Sequence, residues 1–321
     1  MNYLKRLVQT IKKNRRIVVA THIDPDADGI AAALSCAHLV KHYKRRVPIL
    51  FCYSPIPSKY RFLLKRWRFV RKLPDFDLLI AVDSAGISRI FPDTGGFDAV
   101  RPESKVIINI DHHKSNDAFG MLKIIKEDAS SACEIIYDIF KKLRVRIDKS
   151  LAEIFYCGIY SETGGFVYPN TTKESLRIAS ELVELGVKPG PLVKKLNAKT
   201  LNGTKLLSKV LDTIEIKNGV GVMYVTQSML KKSRAKMTES ENFVSFLQAI
   251  TEVKVSLFLR EEHRCTRISL RSDGVLDVDK LANRYGGGGH RLAAGARIKK
   301  PLKVVKKEIV RAILREMKKK R

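Results

Sequence analysis

The apolar run Val106-Ile107-Ile108-Asn109-Ile110 ends in Asp111-His112-His113, so a carboxylate and two imidazoles stand where a buried strand stops. In open parallel sheets, ligands bind outside the carboxyl ends of the strands. Two further segments repeat the pattern. Ile17-Val18-Val19-Ala20 runs into Thr21-His22-Ile23-Asp24-Pro25-Asp26-Ala27-Asp28-Gly29, and Leu78-Leu79-Ile80-Ala81-Val82 runs into Asp83. Three strand tips that carry His and Asp toward one crevice describe a site for a hard metal ion, suited to phosphoester cleavage.

Around these runs the first half of the chain alternates strand and helix signals, the mark of βαβ units about a mostly parallel sheet. Strands are predicted near 17–22, 47–52, 78–83 and 105–111, and helices near 28–43, 130–142, 148–161 and 173–186. The stretch Gly186-Val187-Lys188-Pro189-Gly190-Pro191 breaks the helical pattern. Beyond it, Val220 to Val225, Val253 to Arg260 and Cys265 to Arg271 alternate as strands of a mixed sheet, and a basic amphipathic helix starts near Leu302. The expected fold class is therefore α/β: a mostly parallel-sheet domain over 1–190, a helical linker over 191–211, and a smaller mixed-sheet domain over 212–321, with a cleft between the two domains. A chain of 321 residues, 45% hydrophobic, can supply two cores.

Charge adds a partner class. Lys and Arg number 61 against 33 Asp and Glu, a net +28. Thermophile surfaces gain both signs; here one sign dominates, which favours a polyanionic partner over a merely solvated surface. Basic clusters recur at Lys12-Lys13-Asn14-Arg15-Arg16, Lys65-Arg66-Trp67-Arg68, Lys299-Lys300 and Lys318-Lys319-Lys320-Arg321. Trp67 and Phe69 can stack on bases, though core packing is the favoured role for them. The five cysteines are scattered and form no C-x-x-C pair, which fits a reducing cytosol. No apolar run reaches the length of a signal peptide or a bilayer span, so a cytoplasmic protein with no membrane partner is expected.

Asp24-x-Asp26-x-Asp28-Gly29 invites a calcium-loop reading, which fails because position twelve is Ser35 rather than Glu, and because a strand precedes the loop. Asp28 can cap a helix that starts near Gly29, but capping accounts for one carboxylate, not for three beside His22. The tetraglycine run Gly286 to Gly289 reads either as a flexible turn or as a nest of backbone amides for an anion, followed by His290 and Arg291. His38, His42 and His263 lack companions and read as surface or packing residues.

His22-x-x-Pro25-Asp26-x-Asp28, Asp83, Asp111-His112-His113, Gly158-Ile159-Tyr160-Ser161-Glu162-Thr163-Gly164, then Arg271 and Gly286-Gly287-Gly288-Gly289-His290-x-x-Ala293-Ala294-Gly295 stand in one order. Together they resemble the DHH phosphoesterase superfamily with its DHH-associated C-terminal domain. The resemblance covers nearly the whole chain. In size the chain is similar to the short bacterial members that degrade oligoribonucleotides (nanoRNA) and 3′-phosphoadenosine 5′-phosphate. The resemblance implies two divalent ions, manganese with magnesium or cobalt as substitutes. His22, Asp26 and Asp83 would hold one; Asp28, Asp83, His112 and Glu162 would hold the other, with Asp83 as the bridge. His113 would serve as proton donor or electrostatic stabiliser at the scissile phosphate. Asp111 would either orient His112 or satisfy backbone groups at the strand end. Arg271, Gly287, Gly288, Gly289 and His290 would clamp a substrate phosphate. The superfamily usually has Asp where Glu162 stands, so this chain departs from the pattern at a ligand position. Implied partners are short RNA or a small nucleotide, longer single-stranded nucleic acid on the basic surface, and a second copy of the chain in a homodimer. The competing activities are a cyclic-dinucleotide phosphodiesterase, a RecJ-like single-strand exonuclease and a pyrophosphatase. A nucleic-acid-binding protein with a weakened catalytic site is the alternative outside enzymes.

Overall fold

The computed structural model describes residues 2–92 and 105–319, so Lys320 and Arg321 of the last basic cluster lie outside the described residues. The chain forms two compact units, Met1–Ala198 and Lys199–Arg321.

The first unit contains α1 (Asn2–Lys13), β1 (Ile17–Ala20), α2 (Ala27–Lys44), β2 (Ile49–Phe51), α3 (Arg61–Leu64), β3 (Phe69–Val70), β4 (Leu78–Val82), β5 (Val106–Asp111), β6 (Leu122–Ile125), α4 (Ala132–Lys142), α5 (Lys149–Glu162), α6 (Lys173–Glu184) and α7 (Pro189–Leu196). Its six strands run in the order β3-β2-β1-β4-β5-β6, all parallel. Each of the three apolar runs that stop at His or Asp is a strand of this sheet, buried along nearly all its length. Alternate residues serve opposite faces: Val19, Leu78, Ile80 and Val82 enter the core under α2, α4 and α5, while Val18, Ala20, Leu79 and Ala81 meet Phe51, Phe76, Ile87 and Phe119. The chain leaves β1 toward β2 and β3, then returns to the other side of β1 as β4. The order therefore reverses between β1 and β4, the kind of switch point at which open sheets bind ligands.

Helix α2 is buried on most of its circumference, with Ala31-Ala32-Ala33 allowing close packing against α4 and α5. Trp67 and Phe69 pack against the same core, and His38 lies 5.2 Å from the Trp67 ring, centroid to centroid. Burial lowers the pKa of His38.

The second unit contains α8 (Leu201–Leu211), β7 (Glu215–Lys217), β8 (Val220–Val225), α9 (Gln227–Ser233), α10 (Val244–Gln248), β9 (Val255–Glu261), β10 (Thr266–Ser272), α11 (Val278–Asn283), β11 (Gly288–His290), β12 (Ala293–Ile298) and α12 (Leu302–Lys319). The segment expected as a linker is shared between the units: α7 packs on α5, α8 on β8. The second sheet runs β11-β12-β10-β9-β8-β7, with only β8 and β9 parallel. In β10, buried Thr266, Ile268, Leu270 and Ser272 alternate with partly exposed Arg267, Ser269 and Arg271. One face thus enters the core with α11 and α12; on the other, Met223 and Phe258 pack against α8, α9 and α10, while β10 presents its arginines. Among the described residues, no helix is long and apolar enough to cross a membrane.

Candidate metal centre

Strand β1 ends at Ala20, and Thr21 and His22 follow, both buried. The His22 Nδ1 lies 2.7 Å from the Ile23 carbonyl oxygen. A carbonyl can only accept, so Nδ1 carries the proton and the neutral ring keeps its Nε2 lone pair for a ligand. Asp26 caps α2, accepting from the Gly29 amide at 3.0 Å. Asp28, weighed above as the cap of α2, instead reaches α4: its carboxylate accepts from the amides of Ala132 (2.7 Å) and Cys133 (3.1 Å).

Asp83 follows β4 with φ of 53° and is 2% exposed. Non-glycine residues adopt this left-handed region sparingly, Asp more readily than most, and such strain gathers at functional sites. Its two carboxylate oxygens face different histidines. Oδ2 is 3.6 Å from His22 Nε2, and Oδ1 is 3.5 Å from His112 Nε2. The His112 Nδ1 lies 3.3 Å from the Ala129 carbonyl, again leaving Nε2 directed at Asp83. Donor atoms of His22, Asp26 and Asp83 lie within 4.8 Å of one another, as do those of Asp28, Asp83 and His112. Asp83 belongs to both groups.

Asp111 departs from expectation. Its Oδ1 accepts from His113 Nδ1 at 2.8 Å, so the carboxylate meets His113 rather than His112. Asn116 fixes the other oxygen, donating to Asp111 Oδ2 at 2.6 Å, and its own amide oxygen accepts from Asn109. His113 thereby has its Nδ1 set as a donor, and its side chain is 20% exposed. Sequence reasoning missed Asn116, because a polar loop residue carries no local sign of its partner.

Glu162 ends α5 and belongs to neither group within 4.8 Å. Burial and the charges of Asp26, Asp28 and Asp83 nevertheless push its pKa well up, against the pull of His112. The same crowding acts throughout. Burial and Asp83 push Asp28 up to about 7. Burial pulls on His112 too, but the hydrogen bond to Asp83 and the Glu162 charge outweigh it and raise His112 to about 10. Asp83, opposed by burial but held by both histidines, stays well below the usual carboxylate range.

The donor set fits divalent cations. Two imidazole nitrogens aimed at one carboxylate, with two more carboxylates beside them, leave protons to supply the positive charge wherever a metal does not. Space agrees. A Cβ added at Gly29 would fall 2.5 Å from Thr21 Oγ1, 3.0 Å from Asp83 Oδ2 and 3.1 Å from His22 Nε2, so this residue has to be glycine to keep the cradle open. Metal binding must displace the protons on Asp28 and His112. Manganese should therefore bind more tightly as pH rises through about 7, where Asp28 loses its proton, and on toward about 10, where His112 does, with proton release seen as a buffer-dependent heat in calorimetry. Glu162→Gln should weaken that binding and raise the manganese needed for activity. An affinity independent of pH would remove Asp28 and His112 from the metal shell, and an unchanged titration for Glu162→Gln would remove Glu162.

In the second unit, Arg271 on β10 pairs with Ala293 on β12, which pairs with His290 on β11. Directly opposed residues point to one face, so Arg271 and His290 share a row across a small alanine. The glycine run is not the open amide nest expected. Gly286 N donates to Asn283 O (3.1 Å), Gly287 N to Ala282 O (3.0 Å) and Gly289 N to Asp279 Oδ1 (2.8 Å). Glycine is required here for close strand approach: a Cβ at Gly287 would lie 2.1 Å from Gly295 O.

Comparison with known proteins places this arrangement. The model of the DHH family N-terminal domain matches residues 16–159, and that of the DHHA1 domain matches residues 217–319. The bifunctional oligoribonuclease and PAP phosphatase NrnA of Thermus thermophilus is 32% identical over 308 residues, 92% of this chain and 91% of that protein. The protein of the same name from Bacillus subtilis is 29% identical over 91% of this chain and 92% of its own length. Among solved structures, an exopolyphosphatase-related protein from Bacteroides fragilis superposes with a TM-score of 0.86 at 24% identity, over 99% of this chain and 96% of that one. RecJ of Thermus thermophilus, in complex with Mn2+, has a TM-score of 0.56 at 12% identity, over 98% of this chain and 55% of RecJ. The chain belongs to the DHH family.

Proposed function

We propose, from membership of the DHH family and the geometry around Asp83, that this chain is a cytoplasmic, manganese-dependent phosphoesterase that hydrolyses short oligoribonucleotides and 3′-phosphoadenosine 5′-phosphate. The observation that carries the metal-dependent part is the Asp83 carboxylate, whose two oxygens face His22 and His112 with further carboxylates on either side. The substrate class rests on the NrnA relatives that align with over nine-tenths of the chain.

In this reading His22, Asp26 and Asp83 hold one ion, and Asp28, Asp83 and His112 the other, with Glu162 completing the second set. Divalent ions bound there would supply charge neutralisation at the phosphoryl group and an activated water. The protein's own residues do the rest. Asp83 keeps the two sets of donors at fixed separation, and the Ile23 and Ala129 carbonyls hold the imidazole rings in their ligating tautomers. Asp111, fixed by Asn116, orients His113 so that its Nε2 can donate a proton to the leaving group. Arg271 and His290 grip a substrate phosphate through charge-assisted hydrogen bonds, while the dispersed basic clusters bind longer single strands in a salt-dependent way.

The test is a panel of end-labelled RNAs of two to about thirty nucleotides, with single-stranded DNA, cyclic dinucleotide, pyrophosphate and 3′-phosphoadenosine 5′-phosphate, all with manganese. Short RNAs should be cleaved fastest. Arg271→Ala should lose roughly ten- to a hundred-fold in kcat/KM, mostly through KM, because a charge-assisted hydrogen bond contributes about 1.5–3 kcal/mol. Preference for long single-stranded DNA would favour a RecJ-like exonuclease, turnover of pyrophosphate alone would reject a nuclease, and tight RNA binding without turnover would favour the binding-protein alternative.

A further inference from the structure

Strand β5 is apolar from Val106 to Ile110 except at Asn109, which is 0% exposed and pairs with Ala81 on β4 and Lys123 on β6. Asn109 shares a face of the sheet with Ile107, and there Leu79, Ala81 and Phe119 complete an apolar layer. A leucine or isoleucine would suit that place. The amide instead leaves its Oδ1 without a hydrogen-bond partner among the described residues. A buried orphan acceptor destabilises a fold, so its presence calls for a reason.

The reason lies in the other end of the amide. Asn109 Nδ2 donates to Asn116 Oδ1 at 3.0 Å. The same oxygen accepts from the Ala118 amide at 2.7 Å, and Asn116 Nδ2 donates to Ser84 O at 3.1 Å and to Asp111 Oδ2 at 2.6 Å. Both donors and both acceptor positions of the Asn116 amide are therefore taken, and turning it over would set like against like at each. The three partners that position Asn116 for Asp111 are not equivalent. Ala118 stands two residues away in the same loop, at a left-handed φ of 55°, so its bond travels with the loop. Ser84 lies beyond the tip of β4. Asn109 comes from inside a central strand and ties the loop to β5 itself.

What Asn116 holds in place is a choice between two carboxylates. His113 Nδ1 stands 2.8 Å from Asp111 Oδ1 and 3.8 Å from Asp83 Oδ1. A looser Asp111 would let the ring turn onto Asp83, the residue shared by both donor groups. We infer that Asn109 is a positioning residue: through Asn116 it holds Asp111 on His113, and so keeps His113 off Asp83 and aimed at the leaving group. The inference rests on the phosphoesterase reading for the role of His113, and on the first unit alone for its geometry.

The experiment replaces Asn109 by leucine, which keeps a branched side chain and removes both polar atoms. Manganese-dependent hydrolysis of 5′-phosphorylated diadenylate should show kcat about tenfold lower, a fraction of what a general acid contributes. KM and the manganese midpoint should stay within about twofold, because neither substrate nor ion loses a contact. The melting temperature should be unchanged or higher, since the orphan oxygen leaves with the amide. In a His113→Ala background the same replacement should change kcat by less than about twofold, because a residue that acts through His113 then has nothing to act on. Should leucine prove too bulky to fold, Asn109→Ala should give the same kinetic pattern. Proton NMR of the metal-free full chain in EDTA reads the geometry without turnover: the downfield N–H signal that His113→Ala removes should shift or broaden in the Asn109 variant. An unchanged kcat, an equal loss in both backgrounds or an unmoved signal would overturn the inference. A signal that depends on Asn109, in a parent chain that hydrolyses nothing, would uphold the hydrogen-bonded chain and sink the phosphoesterase reading alone.

Discussion

Asp83→Ala should reduce manganese-dependent turnover of short RNA by more than the roughly 100-fold that the loss of an outer metal partner costs, and should remove at least one ion from the calorimetric stoichiometry. The side chain is the only one shared by both donor groups, so its loss would leave two cations close together with no anion between them. Two effects have to be separated, because Asp83 also holds a left-handed backbone conformation at φ 53° and Ala tolerates that region poorly. Asp83→Asn keeps a side chain that accepts the conformation and removes only the charge. It should fold, keep the 3.0 Å hydrogen bond that the backbone N–H of residue 83 donates to the Ile110 carbonyl, and be as inactive as the alanine variant. Near-normal manganese-dependent turnover by folded Asp83→Asn would end the two-ion model.

Gly29→Ala should be almost as damaging to activity while leaving the fold nearly untouched. Gly29 lies in the first turn of α2, where alanine gains up to about 1 kcal/mol of helix propensity over glycine. The added methyl would sit 2.5 Å from Thr21 Oγ1 and against Asp83 Oδ2 and His22 Nε2. Overpacking of this kind costs about 1–3 kcal/mol, so net stability should change by no more than about 2 kcal/mol. Displacing two metal ligands by a few tenths of an ångström has no such compensation. The expected pattern is a melting temperature within several degrees of the parent, weaker manganese binding and turnover lowered about 100-fold or more. A variant with normal activity would show that the space between Thr21, His22 and Asp83 is not the ion's.

What the sequence determined by itself is local. Continuous apolar runs such as Leu78 to Val82 can bury both faces only as inner strands of a parallel sheet, so their positions, and the polar residues that stop them, were legible within a residue or two. The helices α2, α4, α5 and α6 were equally plain, as was the basic helix α12. The short strands β3 and β6 were not, because two to four residues carry too little pattern. Even the family's motifs, read in order, told only which residues to watch. Which of them meet was decided by tertiary structure. The order β3-β2-β1-β4-β5-β6 sets His22 beside Asp83, and it arises from pairing between distant segments. Asp28 finds its backbone donors on α4, 104 residues away from Ala132, and Asp111 turns to His113 because Asn116 holds it there. The glycine run looked like an open nest until the carbonyls of Ala282 and Asn283 and the carboxylate of Asp279 were found on its amides. Hydrophobic periodicity reports whether a residue is buried, and neighbours along the chain suffice for that. Hydrogen-bond partners and charge environments depend on which remote segments arrive alongside, and only the folded chain fixes them.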